Sequence, residues 1–397
     1  MDTILDYLKK YGRYSFREMP LTEADSVVLC QLSYLKFDGL VPTVRENKAS
    51  VTLAGLREHP DYEKLFGDTR YEKENRALVE AILAGKRFSH IKMNCYMNLV
   101  RKESETQFSA LTFILDCGLS YVVFRGTDET LVGWKEDVNM AFLTPIPAQE
   151  YSVRYLNHVA GRIYGPLFVG GHSKGGNLAV YSSMNCNPIY QERIQGIYSL
   201  DGPGFRPEVL EKCGYDCIAD RVVKIIPRES VIGMIFDTDE NCITIASRGF
   251  GLLQHDLYEW GVEENHLKRV KQLKGSSRRT DMTINKWILS LNEYQIQTFV
   301  DTLYQVITAS HADNLIDLSM SWKKSLNAIL TAMKEVDPET AEVIKKTFKL
   351  LFELVGAQLK EQVARSGQSL IDTTRDLFHG GLGGHNSRKE SPQKEKT

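Results

Sequence analysis

The sequence predicts an α/β protein with a mostly parallel central sheet, and the order of its apolar segments is the basis of that prediction. From FSALTFILD to NCITIASRG, β-branched and aromatic runs alternate with segments of helical periodicity. The first hundred residues are mostly helical in pattern, and helical periodicity returns from about Thr280. Strands that alternate with helices form a parallel sheet with helices on both faces.

Composition is that of an ordinary globular protein. The chain has 397 residues, of which 42% are hydrophobic and 25% charged, and its net charge of −2 excludes a basic nucleic-acid-binding surface. The first residues, MDTILDYLKKYG, lack the basic and apolar parts of a signal peptide, and no apolar run is long enough to span a bilayer. We therefore expect a cytoplasmic protein with no transmembrane segment. The seven scattered cysteines form no zinc-site spacing and are expected to be buried thiols.

The N-terminal region shows helix start and stop signals. Thr3 is a candidate N-cap of a helix that Gly12 ends. Thr22 and Asp25 form a Thr-x-x-Asp cap signal before a second apolar-periodic segment. The stretch YEKENRALVEAILAG predicts a further helix, which ends at Gly85. This part of the chain, residues 1–100, is expected to be helical.

The central region alternates between strands and helices. FSALTFILD and SYVVFRG flank a CGL turn and predict a β-hairpin. There follow a helix at YSVRYLNHVAGRIY, a strand at PLFVGG, a helix at GGNLAVYSSMNC, a strand at IQGIYSLD, a short helix at PEVLEKCG and a strand at RVVKIIP. NCITIASRG predicts one more strand. We expect an α/β domain over residues 1–280, a helical region over 281–378 and a disordered tail over 379–397.

The stretch GGHSKGGNL, residues 170–178, is the most informative segment. A phosphate-binding P-loop requires Lys followed by Ser or Thr, and here Ser173 precedes Lys174. Gly171, Ser173 and Gly175 instead match G-x-S-x-G, the nucleophile elbow, with an apolar strand before it and a helix after it. The alternative is that the glycines only turn the strand into the helix.

An oxyanion hole is predicted beside this serine. In such hydrolases one donor is the backbone N–H after the nucleophile, here Lys174, and another comes from an earlier strand-end loop. Thr127, in the FRGT segment that ends a predicted strand, stands where the second donor is expected. Taken alone, FRGT also fits a polar turn after a strand.

These segments together resemble a known family. FRGT followed by Trp134 and Asp137, then GGHSKGGNLA, resembles the class 3 lipases of the α/β-hydrolase superfamily. With YSLDGPGF and LLQHDLYEW, the sequence resembles more closely the Mbeg-like family of bacterial hydrolase-fold proteins, over roughly residues 1–310. The resemblance implies an α/β-hydrolase fold and a serine nucleophile, and it brings no known substrate. The sequence differs from ordinary class 3 lipases at Lys174 and in its long helical ends.

The fold's chain order, Ser then acid then His, selects the candidate base. Order excludes the histidines that precede Ser173. Two later ones lie in the predicted tail, and two fall in segments of helical pattern; these excluded residues are His59, His90, His158, His172, His379, His385, His266 and His311. His255, in LLQHDLYEW after the last predicted strand, remains.

Two residues are candidates for the acid. Asp201 ends the strand IYSLD next to the elbow, where a carboxylate accepts a hydrogen bond from the second ring nitrogen of the base. Glu229 ends the following strand, the position at which class 3 lipases carry their acid. Asp201 is preferred and Glu229 stays open. His172 is expected to pack away from the site, because neighbours on a strand face opposite sides, and Lys174 is expected to be solvated.

The resulting hypothesis is a serine hydrolase that acts on a small-molecule or lipid-like ester or thioester. It requires no metal and no organic cofactor, and no nucleic acid is expected as a partner. The competing hypothesis is a catalytically dormant hydrolase fold whose C-terminal helices bind a protein partner or self-associate. Labelling by a fluorophosphonate, which requires an activated serine, distinguishes the two.

Overall fold

The computed structural model describes residues 1–271, with gaps at 68–70, 102–105, 128–139, 141–143, 229, 231, 237–241 and 250. For residues 251 and 252 only the backbone is described, and beyond 271 only positions 294, 295, 298, 338 and 342 are described. The predicted domain boundary at 280, the helical region 281–378 and the tail 379–397 therefore lie outside the described residues, apart from those isolated positions.

One eight-stranded sheet organises the described part of the chain, and its strands lie side by side in chain order. They are β1 (Val51–Thr52), β2 (Lys92–Arg101), β3 (Thr106–Ile114), β4 (Ser120–Phe124), β5 (Leu167–His172), β6 (Ile194–Leu200), β7 (Val222–Pro227) and β8 (Ile243–Ile245). Pairing is antiparallel from β1 to β4 and parallel from β4 to β8. A separate antiparallel pair joins β9 (Val262–Glu263) to β10 (His266–Leu267).

Helices cover both faces of the sheet. They are α1 (Ile4–Tyr11), α2 (Glu23–Leu32), α3 (Leu53–Leu56), α4 (Glu72–Leu83), α5 (Lys86–Ser89), α6 (Pro147–Ala160), α7 (Lys174–Asn185), α8 (Pro188–Gln191) and α9 (Pro207–Cys213). The predicted cap signals are confirmed. The N–H of Thr3 donates to Oδ2 of Asp6 over 3.1 Å and that of Thr22 donates to Oδ2 of Asp25 over 2.9 Å, as in a capping box.

The core has two parts, one on each face of the sheet. In β4, Tyr121 and Val123 pack with the N-terminal helices, whereas Val122 and Phe124 pack with α6 and α7. This division follows from the two-residue period of a strand, which sends successive side chains to opposite faces. The predicted layering, a sheet between two layers of helix, is confirmed.

Two local predictions were wrong. Strand β2 occupies a segment predicted to be mostly helical, because a bulge between Asn94 and Met97, with Cys95 at φ 57°, interrupts the two-residue period that reveals a strand. His266 begins the short strand β10 and does not lie in a helix. Both segments are short or irregular, and sequence periodicity gives little signal there.

The parallel half of the sheet determines where a site can form. Ser173 directly follows β5, Asp201 directly follows β6, and His255 follows β8 along the chain. Carboxyl ends of parallel strands meet at one edge, where α/β proteins bind their ligands. Together with the strand-to-helix turn at Ser173, this architecture is the α/β-hydrolase fold that the sequence predicts. Within the described residues, no helix has the length and apolar character needed to cross a membrane.

Candidate active site

Ser173 occupies a strained turn between β5 and α7. Its backbone has φ 58° and ψ −130°, in a region that residues with a Cβ rarely adopt. Such strain persists only where the surrounding structure holds it, and it is typical of a nucleophile elbow. The serine therefore stands at the tip of the turn, with the N-terminus of a 12-residue helix directly after it.

The glycines on either side of Ser173 are required by close backbone contacts. A Cβ on Gly171 would collide with the carbonyl group of Gly175, and a Cβ on Gly175 would collide with the carbonyl oxygen of Phe124. The start of α7 thus lies against the ends of β4 and β5, with no space for side chains between them. The G-x-S-x-G spacing has this steric cause.

Asp201 lies at the end of β6 and is buried, with 1% of its surface exposed. It has a positive φ of 48°, and its N–H donates to the carbonyl of Ile225 in the neighbouring strand over 2.8 Å. Its Oδ2 is 2.6 Å from Nδ1 of His255, so the two predicted residues are in direct contact. A buried carboxylate is costly unless it is paired and hydrogen-bonded, and His255 supplies one such partner.

Ser230 supplies the other partner of the carboxylate. Its Oγ donates to Oδ1 of Asp201 and accepts from the N–H of Gly233 over 2.9 Å. Sequence reasoning missed this residue, although it lies in the strand-end segment PRES that drew attention to Glu229. Glu229 itself is outside the described residues, so its position relative to His255 stays a prediction.

His255 ends a 3₁₀ helix, Gly251–His255. The last two carbonyl groups of this helix accept hydrogen bonds from two different side chains. The carbonyl of His255 accepts from Nε2 of His172 over 2.9 Å. The preceding carbonyl, of Gln254, accepts from Nε1 of the buried Trp260 over 2.8 Å. The His255 side chain is 23% exposed, so it remains accessible from solvent while its main chain is fixed.

The expectation that His172 packs away from the site was wrong: the residue is buried, but it contacts the candidate base. The centroids of its ring and that of His255 are 4.3 Å apart, and the ring planes differ by 34°. The hydroxyl of Tyr34 lies 2.9 Å from its Nδ1. Burial, followed by the nearby His255, holds the pKa of His172 well below its usual 6.5, so the ring is neutral.

The segment after β4 runs alongside the elbow. A Cβ on Gly126 would lie 2.7 Å from the carbonyl oxygen of His172 and 3.0 Å from Cβ of Ser173. Thr127 follows Gly126 directly, and Lys174 is the first residue of α7. Both predicted oxyanion donors, Thr127 and Lys174, therefore belong to segments that adjoin Ser173.

The expectation that the Lys174 side chain is solvated was wrong. Only 1% of the residue is exposed, and its Nζ donates to the carbonyl oxygen of Gln107 over 2.9 Å and to Oε1 of the same residue over 2.7 Å. The cause is that the whole first turn of α7 is buried against the sheet. Gln107 lies in β3, so the antiparallel strands take part in fixing this turn.

Among the described residues, no group of three or more His, Cys, Asp or Glu side chains could hold a metal ion. The histidine–carboxylate pairs found there join two side chains each, His255 with Asp201 and His266 with Glu23. The chemical groups that the described residues bring to the candidate site are a serine hydroxyl, an imidazole, a carboxylate and backbone N–H groups.

Comparisons with known proteins give the following findings. A family model described as Mbeg1-like matches residues 82–305, more than half of the chain. A comparison with curated protein sequences gives no match. The crystal structure of M37 lipase is similar over 54% of this chain and 70% of that chain, with 12% identity and a TM-score of 0.34. Trp134 and Asp137, part of the lipase-like pattern, lie outside the described residues.

Proposed function

The chain belongs to the Mbeg1-like family, and we propose that it is a serine hydrolase that cleaves an ester or thioester. The observation that carries the proposal is the 2.6 Å contact between Nδ1 of His255 and Oδ2 of Asp201. It joins two residues that are 54 positions apart in sequence, at the edge of the sheet that holds the Ser173 turn. We propose small-molecule or lipid-like esters as the substrate class.

Each residue has one role in the proposed reaction. Oγ of Ser173 attacks the substrate carbonyl carbon while Nε2 of His255 takes the hydroxyl proton. The imidazolium then gives that proton to the leaving alcohol or thiol, and an acyl-serine remains. Water attacks the acyl-serine, His255 takes a proton from it and returns it to Oγ, and the carboxylic acid is released.

Asp201 sets the protonation state in which His255 works. Its carboxylate accepts the Nδ1 proton, which leaves Nε2 free to act as the base, and it stabilises the imidazolium that forms. The hydrogen bond from Ser230 supports this role, because it fixes Oδ1 and thereby orients Oδ2 toward His255. A carboxylate buried only to cap a turn would not need an imidazole partner.

The negative charge that develops on the substrate oxygen also requires donors. We propose the N–H groups of Lys174 and Thr127, with the positive end of the α7 dipole behind them. The contact between Gly126 and the Ser173 turn supports this assignment, since it brings the Thr127 segment beside the nucleophile. A single donor of this kind contributes on the order of 10²–10³ in turnover.

Fluorophosphonate labelling tests the proposal without knowledge of the substrate. The wild-type protein should become covalently labelled, and Ser173→Ala should abolish the label. The matched control is Ser183→Ala on the same helix, whose hydroxyl donates to the carbonyl of Ala179 over 2.7 Å, and which should label like the wild type. Absence of labelling in the folded wild type, or full labelling of Ser173→Ala, would overturn the proposal.

A panel of acyl esters and thioesters of increasing chain length then defines the substrate class. Turnover of any member should disappear in Ser173→Ala and persist in Ser183→Ala. A preference for long chains indicates a lipid-like substrate, and a preference for short chains indicates a small-molecule ester.

A further inference from the structure

His172 makes three contacts, two of them with the candidate base. Its Nε2 is 2.9 Å from the carbonyl oxygen of His255, its ring lies against that of His255 at a tilt of 34°, and its Nδ1 is 2.9 Å from the hydroxyl of Tyr34. Trp260 packs edge-to-face with His172, with ring centroids 6.4 Å apart. A buried histidine needs hydrogen-bond partners for its two ring nitrogens. Burial alone does not explain why one of these partners is the candidate base, His255.

The partners fix the tautomer of His172. A carbonyl oxygen only accepts, so Nε2 carries the proton and donates to His255. In the neutral ring Nδ1 is then the acceptor, and the hydroxyl of Tyr34 donates to it. Both ring nitrogens are thereby satisfied without a positive charge.

We propose that His172 is the positioning residue of the active site, and that Tyr34 fixes His172 in the tautomer that this role requires. The proposal rests on the proposed function, because it concerns the same base. His255 is held at three points: Asp201 binds Nδ1, His172 binds the main-chain carbonyl, and the ring of His172 packs against the imidazole with centroids 4.3 Å apart. The remaining freedom of the ring is small, and Nε2 stays directed to one place.

The covalent link between His172 and Ser173 explains why this contact is effective. The two residues share a peptide bond at the end of β5, so the group that holds the base and the nucleophile move together. The serine–imidazole distance is then set by the elbow itself. A loop that carried the base without this bond would vary in position relative to the serine, and an error of about 1 Å costs on the order of 10² in rate.

Neutrality is part of the same role. Among the described residues, the titratable groups in contact with the ring are Tyr34, through its hydroxyl, and His255, through its tilted imidazole. His255 must become an imidazolium in each turnover, and a second cation 4.3 Å away would oppose that step. Because its hydrogen bonds are complete in the neutral form, His172 does not compete for the proton.

The test uses the rate of fluorophosphonate labelling per folded molecule, measured from pH 6 to 9. His172→Leu removes both hydrogen bonds at similar size, and we expect a rate about 10²-fold lower across this range. The loss should persist at high pH because its cause is geometry and not the charge of His255. His172→Gln retains a neutral donor and an adjacent acceptor, and should recover the rate to within about tenfold of wild type.

Two further variants separate this role from ordinary packing. Tyr34→Phe keeps the ring but loses the hydroxyl, so the tautomer is no longer fixed, and a loss of about threefold to tenfold is expected. The matched control is His158→Leu, because His158 also hydrogen-bonds a main-chain carbonyl, that of Val44 over 3.1 Å, but lies on α6. It should label at the wild-type rate.

The outcomes are distinct. If the wild type labels at Ser173 and His172→Leu labels at the same rate per folded molecule, the positioning role is wrong while the proposed function stands. If the lower labelling rate of His172→Leu returns to the wild-type rate at high pH, the positioning role is also wrong, and His172 acts through the charge of His255 instead. Failure of the wild type to label concerns the proposed function itself.

Discussion

The two halves of the sheet contribute to the candidate site in different ways. In the parallel half, the segments after four successive strands carry the residues of the candidate site: Ser173 after β5, Asp201 after β6, Ser230 after β7 and His255 after β8. The antiparallel half and its helices supply groups that support these from behind. Gln107 of β3 binds Lys174, and Tyr34 binds His172.

This difference between the two halves follows from the directions of their strands. Parallel strands end at a common edge, so residues far apart in sequence converge there and can share one substrate. Neighbouring antiparallel strands end at opposite edges of the sheet. The antiparallel half therefore contacts the candidate site through single side chains, which bind Lys174 and His172. We therefore expect changes in the parallel half to reduce rate. In the other half, we expect changes at residues that do not contact the candidate site to reduce stability.

The largest loss of turnover is expected when either the candidate nucleophile or the candidate base is removed. Ser173→Ala and His255→Ala should each lower turnover of a hydrolysed ester by on the order of 10⁶, and the double variant should be little worse than either. Residues that act as one unit are non-additive in this way. The measurement is a double-mutant cycle on turnover, and losses that multiply independently would remove His255 from the unit.

The next effect separates the two candidate acids. Asp201→Asn keeps the size of the side chain but favours the wrong imidazole tautomer, so a loss on the order of 10⁴ in turnover is expected. Glu229→Gln should change turnover by less than about tenfold, since the carboxylate that contacts His255 is that of Asp201. Thermal unfolding of both variants serves as the control. A severe loss in Glu229→Gln beside a near-normal Asp201→Asn would reverse the choice.

The smallest effect on rate is expected in the N-terminal half. Arg87 and Asp25 form a fully buried ion pair, with both side chains 0% exposed and a second contact of 2.7 Å from Nε to Oδ1. Arg87→Met leaves the carboxylate buried without its partner, which should lower the free energy of unfolding by about 3–5 kcal/mol. Denaturant unfolding measures that loss. Turnover per folded molecule should stay near wild type, and a selective loss of rate would contradict the division between the halves.

Sequence reasoning predicted the parts of the fold that local pattern encodes. The caps at Thr3 and Thr22, the β3–β4 hairpin and the alternation from α6 to β8 follow from spacing and residue type, and they are confirmed. The carboxyl-edge position of Ser173 and Asp201 follows from strand ends. Strand β2 was missed because its bulge breaks the period.

The supporting contacts of the site could not be predicted in this way. Tyr34 is 138 positions from His172, and Gln107 is 67 positions from Lys174, so no local pattern links the members of either pair. The burial of Lys174 depends on how tightly α7 meets the sheet, which is a property of packing. Spacing rules identify residues on one element, whereas these pairs join separate elements.

The reactivity of the buried amine of Lys174 can report whether the turn at Ser173 is intact. Amine-selective acylating reagents modify lysines that reach solvent, so Nζ of Lys174, held by Gln107, is protected while the turn is closed. It reacts only through local opening of the first turn of α7, and its modification rate gives the free energy of that opening. A mass-spectrometric footprint of this one side chain therefore reads the integrity of the Ser173 turn in any variant, before a substrate is known.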